Sequence, residues 1–269
     1  MPEGHTLHRL ATSLRDAFAG ELVAVSSPQG RFAESAALLD GTRLLEARSY
    51  GKHLFVEFDE SRLVHVHLGL YGKFPVFRGP APAPVGQVRM RLVGGSSYAD
   101  LRGATACELM TGEQQDAVLA RLGPDPLDPG ADPDRAWERI RRSRAPVGGL
   151  LMDQSVLAGV GNVYRAEVLF RHGMHPLRPG RTLRVSQWQA MWDDLVGLLA
   201  DGVRSGRIET LRPEDRANRP TRSVRNYVYR RTGEPCLVCG ARIKTAELQG
   251  RNLFWCPRCQ PVFRSRAVR

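Results

Sequence analysis

The chain has 269 residues, 42% of them hydrophobic, enough for two modest cores or for one core with small attachments. No run approaches the roughly 20 apolar residues that cross a bilayer, and no signal-like apolar stretch follows the opening Pro2-Glu3-Gly4, so a soluble, cytoplasmic monomer with no membrane partner is expected. The formal charge of +11 is concentrated at one end, with −2 over residues 1–130, +13 over 131–269 and +11 over 204–269 alone. Such a basic end suits a polyanion, because Arg and Lys displace condensed counterions from phosphate, although a solvated basic face is the plainer reading.

The N-terminus is chemically suggestive. Met1 is normally removed before a residue as small as Pro2, which exposes a secondary amine. An α-amine titrates near ~8 and a lysine near ~10.4, so far more of the amine is neutral and nucleophilic at cellular pH. Glu3 beside it has the chemistry of a general acid. By itself a Pro-Glu terminus is ordinary.

Residues 5–18 follow helical spacing, with Leu7, Leu10, Ala11, Leu14 and Phe18 on one face. From about Leu22 to Leu109 the pattern turns to short β-like runs, among them Leu54–Phe58, Leu63–Leu68 and Val88–Val93, separated by Pro- and Gly-bearing turns. An antiparallel sandwich is the expected outcome. His65 and His67 share a face of their strand, with no third metal ligand apparent. A Pro- and Gly-rich break at 123–130 precedes four helical stretches, near 133–142, 147–157, 163–172 and 186–204. Asp132 is placed to cap the first, with Pro133 at its first helical position. Between the second and third, Gly159, Gly161 and Asn162 read as a tight turn with Asn162 capping the next helix. A helix start flanked by glycine is a ready phosphate site, and an ordinary helical hairpin reads equally well. Residues 205–224 are polar and Arg-rich without periodicity, as a loop would be.

Four of the five cysteines form two knuckles, Cys236-Leu237-Val238-Cys239 and Cys256-Pro257-Arg258-Cys259. Two Cys-x-x-Cys pairs at this separation place four thiolates tetrahedrally around one Zn²⁺. A redox function needs only one pair. With all four ligands supplied by protein, the zinc is structural. The hairpin between the knuckles carries Lys244, Gln249, Arg251 and Asn252, side chains suited to phosphate. Cys107 stands alone and reads as a small core residue.

Together, Pro2-Glu3-Gly4, Tyr50-Gly51-Lys52, Leu70-Tyr71-Gly72, the run Arg121 to Asp125, the run Leu150 to Phe170, the run Tyr229 to Cys236 and the run Phe254 to Gln260 resemble the formamidopyrimidine-DNA glycosylase/endonuclease VIII family over essentially the whole chain. The opening tripeptide and the Leu-Tyr pair lean toward its endonuclease VIII branch. The resemblance implies a multi-domain α+β fold. Residues 1–125 would form an N-terminal catalytic β-sandwich flanked by helices, 131–226 a helix–two-turn–helix DNA-binding domain, and 227–263 a zinc-finger hairpin. It implies a bifunctional DNA glycosylase/AP lyase of base excision repair, acting on damaged DNA and removing oxidised bases, pyrimidines first, by β,δ-elimination. The alternatives are an oxidised-purine glycosylase and a catalytically silent DNA-binding relative. Carried over residue by residue, Pro2 forms the iminium with the sugar C1′ and Glu3 serves as acid and base. Lys52 grips phosphate and assists β-elimination, and Arg251 binds phosphate and assists δ-elimination. Asn162 and Arg121 contact DNA, Leu70 and Tyr71 fill the space of the flipped nucleotide, and Glu167 lies near the catalytic amine. Cys236, Cys239, Cys256 and Cys259 hold the zinc. Two positions depart from the pattern: Thr6, where glutamate is usual, and Gly69, where the endonuclease VIII wedge begins with glutamine.

Overall fold

A computed structural model describes residues 2–264. The chain divides into two compact units, one ending at Arg121 and the other beginning at Leu122.

The first unit opens with α1 (Gly4–Phe18), whose Leu7, Leu10, Leu14 and Phe18 are buried as the helical spacing predicts. Eight strands follow: β1 (Leu22–Ser26), β2 (Thr42–Tyr50), β3 (His53–Phe58), β4 (Arg62–His67), β5 (Val76–Arg78), β6 (Met90–Val93), β7 (Ser97–Leu101) and β8 (Ala106–Met110). They hydrogen-bond in the order β5-β7-β6-β1-β2-β3-β4-β8, with antiparallel pairing throughout. The short β1 joins the two halves of this array. Its Leu22 and Val23 pair with β2, and its Ala24, Val25 and Ser26 pair with β6. Inward residues of both halves, such as Val56, Val64 and Val66 on one side and Met90, Leu92 and Leu101 on the other, share one hydrophobic cluster with α1. That common core makes the expected sandwich. Cys107 is part of it, and burial pushes its thiol up to about 12, as befits an inert core residue.

Two helices went unforeseen. The first, α2 (Ala33–Leu39), has only seven residues. The second, α3 (Gly112–Ala120), buries no side chain, so no apolar stripe marks it. A capping box starts α3, in which Thr111 Oγ1 accepts the Gln114 N–H at 3.3 Å and Gln114 Oε1 accepts the Thr111 N–H at 2.9 Å.

The second unit contains α4 (Pro133–Ile140), α5 (Val147–Leu150), α6 (Asn162–Arg171) and α7 (Val185–Ser205), followed by the hairpin β9 (Lys244–Leu248) and β10 (Arg251–Trp255). Asp132 caps α4 through the Asp134 N–H at 2.9 Å, with Pro133 at the first helical position, as expected. The second helical stretch is far shorter than expected. After Leu150 the chain turns, and Asp153 accepts the Ser155 N–H and hydroxyl at 2.9 and 2.7 Å, offering the backbone a non-helical alternative. One cluster built on Trp188, Tyr164, Leu195 and Leu199 forms the helical core. A smaller one joins Phe170, Tyr227, Ile243 and Phe254 to the cysteines. Among the described residues no helix is long and apolar enough to cross a membrane.

Candidate functional site

In the first unit the predicted site residues lie on turns and helix ends. Glu3 is fully buried and occupies the N-cap of α1, with Pro2 just before it. Thr6 accepts the Glu3 N–H on its hydroxyl at 3.4 Å and lies 3.3 Å from His5 Nε2. The departure at position 6 therefore puts a helix-capping hydroxyl where a carboxylate would add charge. Burial pushes the His5 imidazole down to about 4, so that ring is neutral at cellular pH.

Lys52 and Gly51 form the two-residue turn between β2 and β3, closed by the Tyr50–His53 pair. Gly51 has φ +58, as such turns require. Leu70 and Tyr71 follow β4 on a turn closed by the Gly72 N–H donating to the Leu68 carbonyl at 3.0 Å. They are 38% and 84% exposed, so neither is a core residue. Gly69 leads into this turn with φ +66, and a Cβ there would lie 2.5 Å from Thr105 Cγ2. A side chain at this position would need both a strained left-handed backbone and a shift of Thr105. Arg121 is exposed at the C-terminal end of α3, with Nε donating to the Ala117 carbonyl at 3.1 Å. The charges of Lys52 and Arg121 both act against protonation of the His53 ring.

In the second unit the expected cap at Asn162 is corrected. Gly161 is the N-cap of α6, and Asn162 is its first residue. The Asn162 side chain turns instead to the zinc hairpin, donating Nδ2 to the Asn252 carbonyl at 3.2 Å. Its Oδ1 accepts from Arg165 Nη2. Arg165 is a buried guanidinium that sequence reasoning missed. It also donates to the carbonyls of Asn252 at 3.0 Å and Gly148 at 3.2 Å. Its one sequence signal is a charged residue, like Glu167 two positions later, inside the mainly apolar run Val163–Phe170. The start of α6 and the tip of the hairpin are thus locked to each other. Arg251 stands exposed at the first position of β10, after the Gln249-Gly250 turn, in which both residues have positive φ.

The four Sγ atoms of Cys236, Cys239, Cys256 and Cys259 all lie within 4.8 Å of one another. Two of the separations are 3.9 Å, Cys236 to Cys259, and 3.4 Å, Cys239 to Cys256. A tetrahedron with Zn–S bonds of about 2.3 Å has edges of roughly 3.8 Å, so the cradle fits one structural zinc ion. Gly240, at φ +73, turns the chain behind the first knuckle, its N–H bound to the Cys236 carbonyl at 2.9 Å. Gln260 is fully buried and accepts the Cys256 N–H at 2.9 Å while donating to the Met174 carbonyl at 2.8 Å. It ties the second knuckle to the helical core, a function its sequence position did not disclose.

Glu167 is fully buried on α6. Its Oε2 accepts the Thr210 hydroxyl at 2.5 Å and the Tyr227 N–H at 2.7 Å. Its Oε1 accepts the N–H groups of Val228 and Tyr229 at 2.9 and 2.8 Å. Burial pushes this carboxyl up, and the four donors oppose that push. The Thr210 N–H also binds the Arg225 carbonyl at 2.9 Å. One carboxylate thereby clasps both ends of the Arg-rich loop between residues 210 and 227.

Residues 1–107 match the formamidopyrimidine-DNA glycosylase N-terminal domain, 122–212 its H2TH domain, and 233–262 the zinc finger found in FPG and IleRS. The protein named endonuclease 8 1 of Mycobacterium tuberculosis is 55% identical over 267 residues, spanning 97% of this chain and all of that one. The formamidopyrimidine-DNA glycosylase of Methylococcus capsulatus is 35% identical over 230 residues, 82% of this chain and 83% of its own. Lactococcus lactis Fpg, in complex with DNA containing an abasic site, superposes with a TM-score of 0.81 at 21% identity, over 97% of this chain and all of that one. At that identity the likeness concerns the fold. The matched domains and the full-length relatives place the chain in the formamidopyrimidine-DNA glycosylase family, as an endonuclease 8-like DNA glycosylase of base excision repair.

Proposed function

We propose that the chain is a bifunctional glycosylase and AP lyase that removes oxidised bases, pyrimidines above all, using the amine of Pro2 as nucleophile. The observation that carries this reading is the pairing of Pro2 with a fully buried Glu3 at the head of α1, in a chain 55% identical to an endonuclease 8. Once Met1 is removed, the Pro2 nitrogen bonds to C1′ of the damaged nucleotide while the glycosidic C–N bond breaks. Glu3 gives a proton to the departing base or to the sugar ring oxygen. Ring opening leaves an iminium on Pro2. Loss of a C2′ proton then expels the 3′-phosphate, and a second elimination expels the 5′-phosphate.

The remaining residues position the DNA. Chemistry at C1′ needs the nucleotide out of the stack. Leu70 and Tyr71, exposed on their turn, are assigned to the vacated space. Lys52, Arg121, Asn162 and Arg251 are assigned to backbone phosphates, with Lys52 assisting the first elimination and Arg251 the second. The zinc holds the hairpin that bears Arg251. Damaged DNA is the partner, bound by a monomer.

Borohydride trapping on a duplex with an abasic site tests the nucleophile. The wild type is expected to form a covalent adduct through its N-terminal residue, and Pro2→Gly to lose at least tenfold in trapping rate, roughly the factor that one positioned catalytic group supplies. No adduct with the wild type, or one attached elsewhere, overturns the mechanism. Duplexes bearing oxidised pyrimidines or oxidised purines separate the two branches.

A further inference from the structure

The sheet brings to His65 and His67 what the sequence did not show beside them. On the face opposite the core, β3 contributes His53 and β8 contributes Glu108. His53 pairs with His67 across the strands, and His65 pairs with Glu108. Glu108 Oε1 lies 3.1 Å from His65 Nδ1, and His65 Nε2 lies 2.9 Å from His53 Nδ1. The His53 and His65 rings stack at 5.1 Å between centroids, and Phe55 stacks on His65 at 5.4 Å. Among the described residues, His53 Nε2 has no hydrogen-bond partner.

The proton positions along this row follow from its far end. An ionised carboxylate only accepts, so His65 must carry its proton on Nδ1. In the neutral His65 ring Nε2 is then a lone pair, and His53 donates to it from Nδ1. This leaves a lone pair on His53 Nε2. His67 is fixed the other way. Its Nδ1 accepts the Gly69 N–H at 3.2 Å, and the Thr105 hydroxyl that lies 2.9 Å from the same nitrogen also reaches the His67 carbonyl at 2.9 Å. Its proton is therefore on Nε2. Lys52 and Arg121 add positive charge around His53. An anion entering here meets positive charge from Lys52 and Arg121 but a lone pair on His53.

We propose that Glu108, His65 and His53 form a proton relay that converts His53 into a phosphate donor by taking up one proton when DNA binds. The inference rests on the assignment of Lys52 and Arg121 to DNA phosphates. A proton from water bonds to His53 Nε2, the N–H bond at His53 Nδ1 breaks, and that proton bonds to His65 Nε2. The neutral His53 then donates from Nε2 to a phosphate oxygen. The added charge rests on His65 against the Glu108 carboxylate, away from Lys52 and Arg121. Burial, together with the charges of His65, His67, Arg121 and Lys52, pushes the His53 imidazole down to about 3, so that ring does not hold the charge itself. Phosphate is the ligand class, because the charged side chains acting on His53 from outside the histidine row, Lys52 and Arg121, are both cations.

Two measurements on the zinc-loaded chain test the relay. Nitrogen NMR of the imidazole rings in the free protein at neutral pH should find His53 and His65 protonated on Nδ1, and His67 on Nε2. Finding either His53 or His65 protonated on Nε2 instead overturns the proposal. Titration calorimetry with an abasic-site duplex, in buffers of differing ionisation enthalpy, should report uptake of up to one proton per complex. Affinity should accordingly weaken by at most about tenfold per pH unit as pH rises through neutrality. His53→Gln and His65→Gln should both abolish the uptake, and Glu108→Gln should move it to lower pH. Wild-type uptake of zero, or unchanged uptake in both histidine variants, overturns the relay while leaving the glycosylase reading intact. Failure of the wild type to bind or trap the duplex overturns that reading instead, and the ring tautomers still decide the relay.

Discussion

Gly69 shows how a single position limits the surface next to a candidate wedge. Its φ of +66 and the 2.5 Å approach to Thr105 Cγ2 make any side chain there costly. Gly69→Gln, which restores the residue usual in the endonuclease VIII branch, is expected to cost about 1–3 kcal/mol from the left-handed backbone alone. The melting temperature should fall by several degrees, and Thr105→Ala in the same chain should recover part of the loss. A variant as stable as wild type would mean that the turn relaxes freely. The same position shows the limits of reading residues from sequence. The departure itself is visible in the chain, but its cause is Thr105, 36 residues away. Asn162 gives the opposite lesson. Local propensity assigned it to a cap, while the Asn252 carbonyl, brought close only by folding, takes its amide. The roles of Arg165 and Gln260 were equally hidden, because Asn252 and Met174, which they tie in, lie 87 and 86 residues away along the chain.

Among the elements, those encoded by near neighbours were legible. The apolar spacing of α1, the Asp132-Pro133 start of α4 and the cysteine knuckles each carry their signal within a few residues. α3 was not, because it offers no buried face. Two elements make sharp predictions. Glu167→Gln replaces one acceptor oxygen with an amide that must face a donor, so about 2–3 kcal/mol of local stability should be lost. Hydrogen exchange should then rise at the amides of Tyr227, Val228 and Tyr229, whereas protection equal to wild type would show that the clasp is dispensable. Stripping the zinc with a chelator should unfold the β9–β10 hairpin and release Arg251 from its place. Circular dichroism and metal release followed together should report one coupled loss, with weaker DNA binding. A hairpin that survives metal removal would contradict a structural role for the zinc.

For the whole molecule, charge and metal together describe a DNA-binding protein whose basic side chains crowd into its last quarter. Binding to a damaged duplex should therefore weaken steeply as salt rises. Arg251→Ala should reduce the slope of log affinity against log salt by about one, the signature of one lost phosphate contact. An unchanged slope would remove Arg251 from the phosphate path. A different consequence lies in β1. Two of its residues pair with β2, made shortly afterwards, and three pair with β6, which begins only at Met90. During synthesis Pro2, the proposed nucleophile, emerges well before β6, and the sandwich against which α1 packs stays open until residue 90 and beyond has followed. Residues of α1 thus settle late, and a message truncated before β6 would yield the proposed amine without half of the sheet whose core α1 shares.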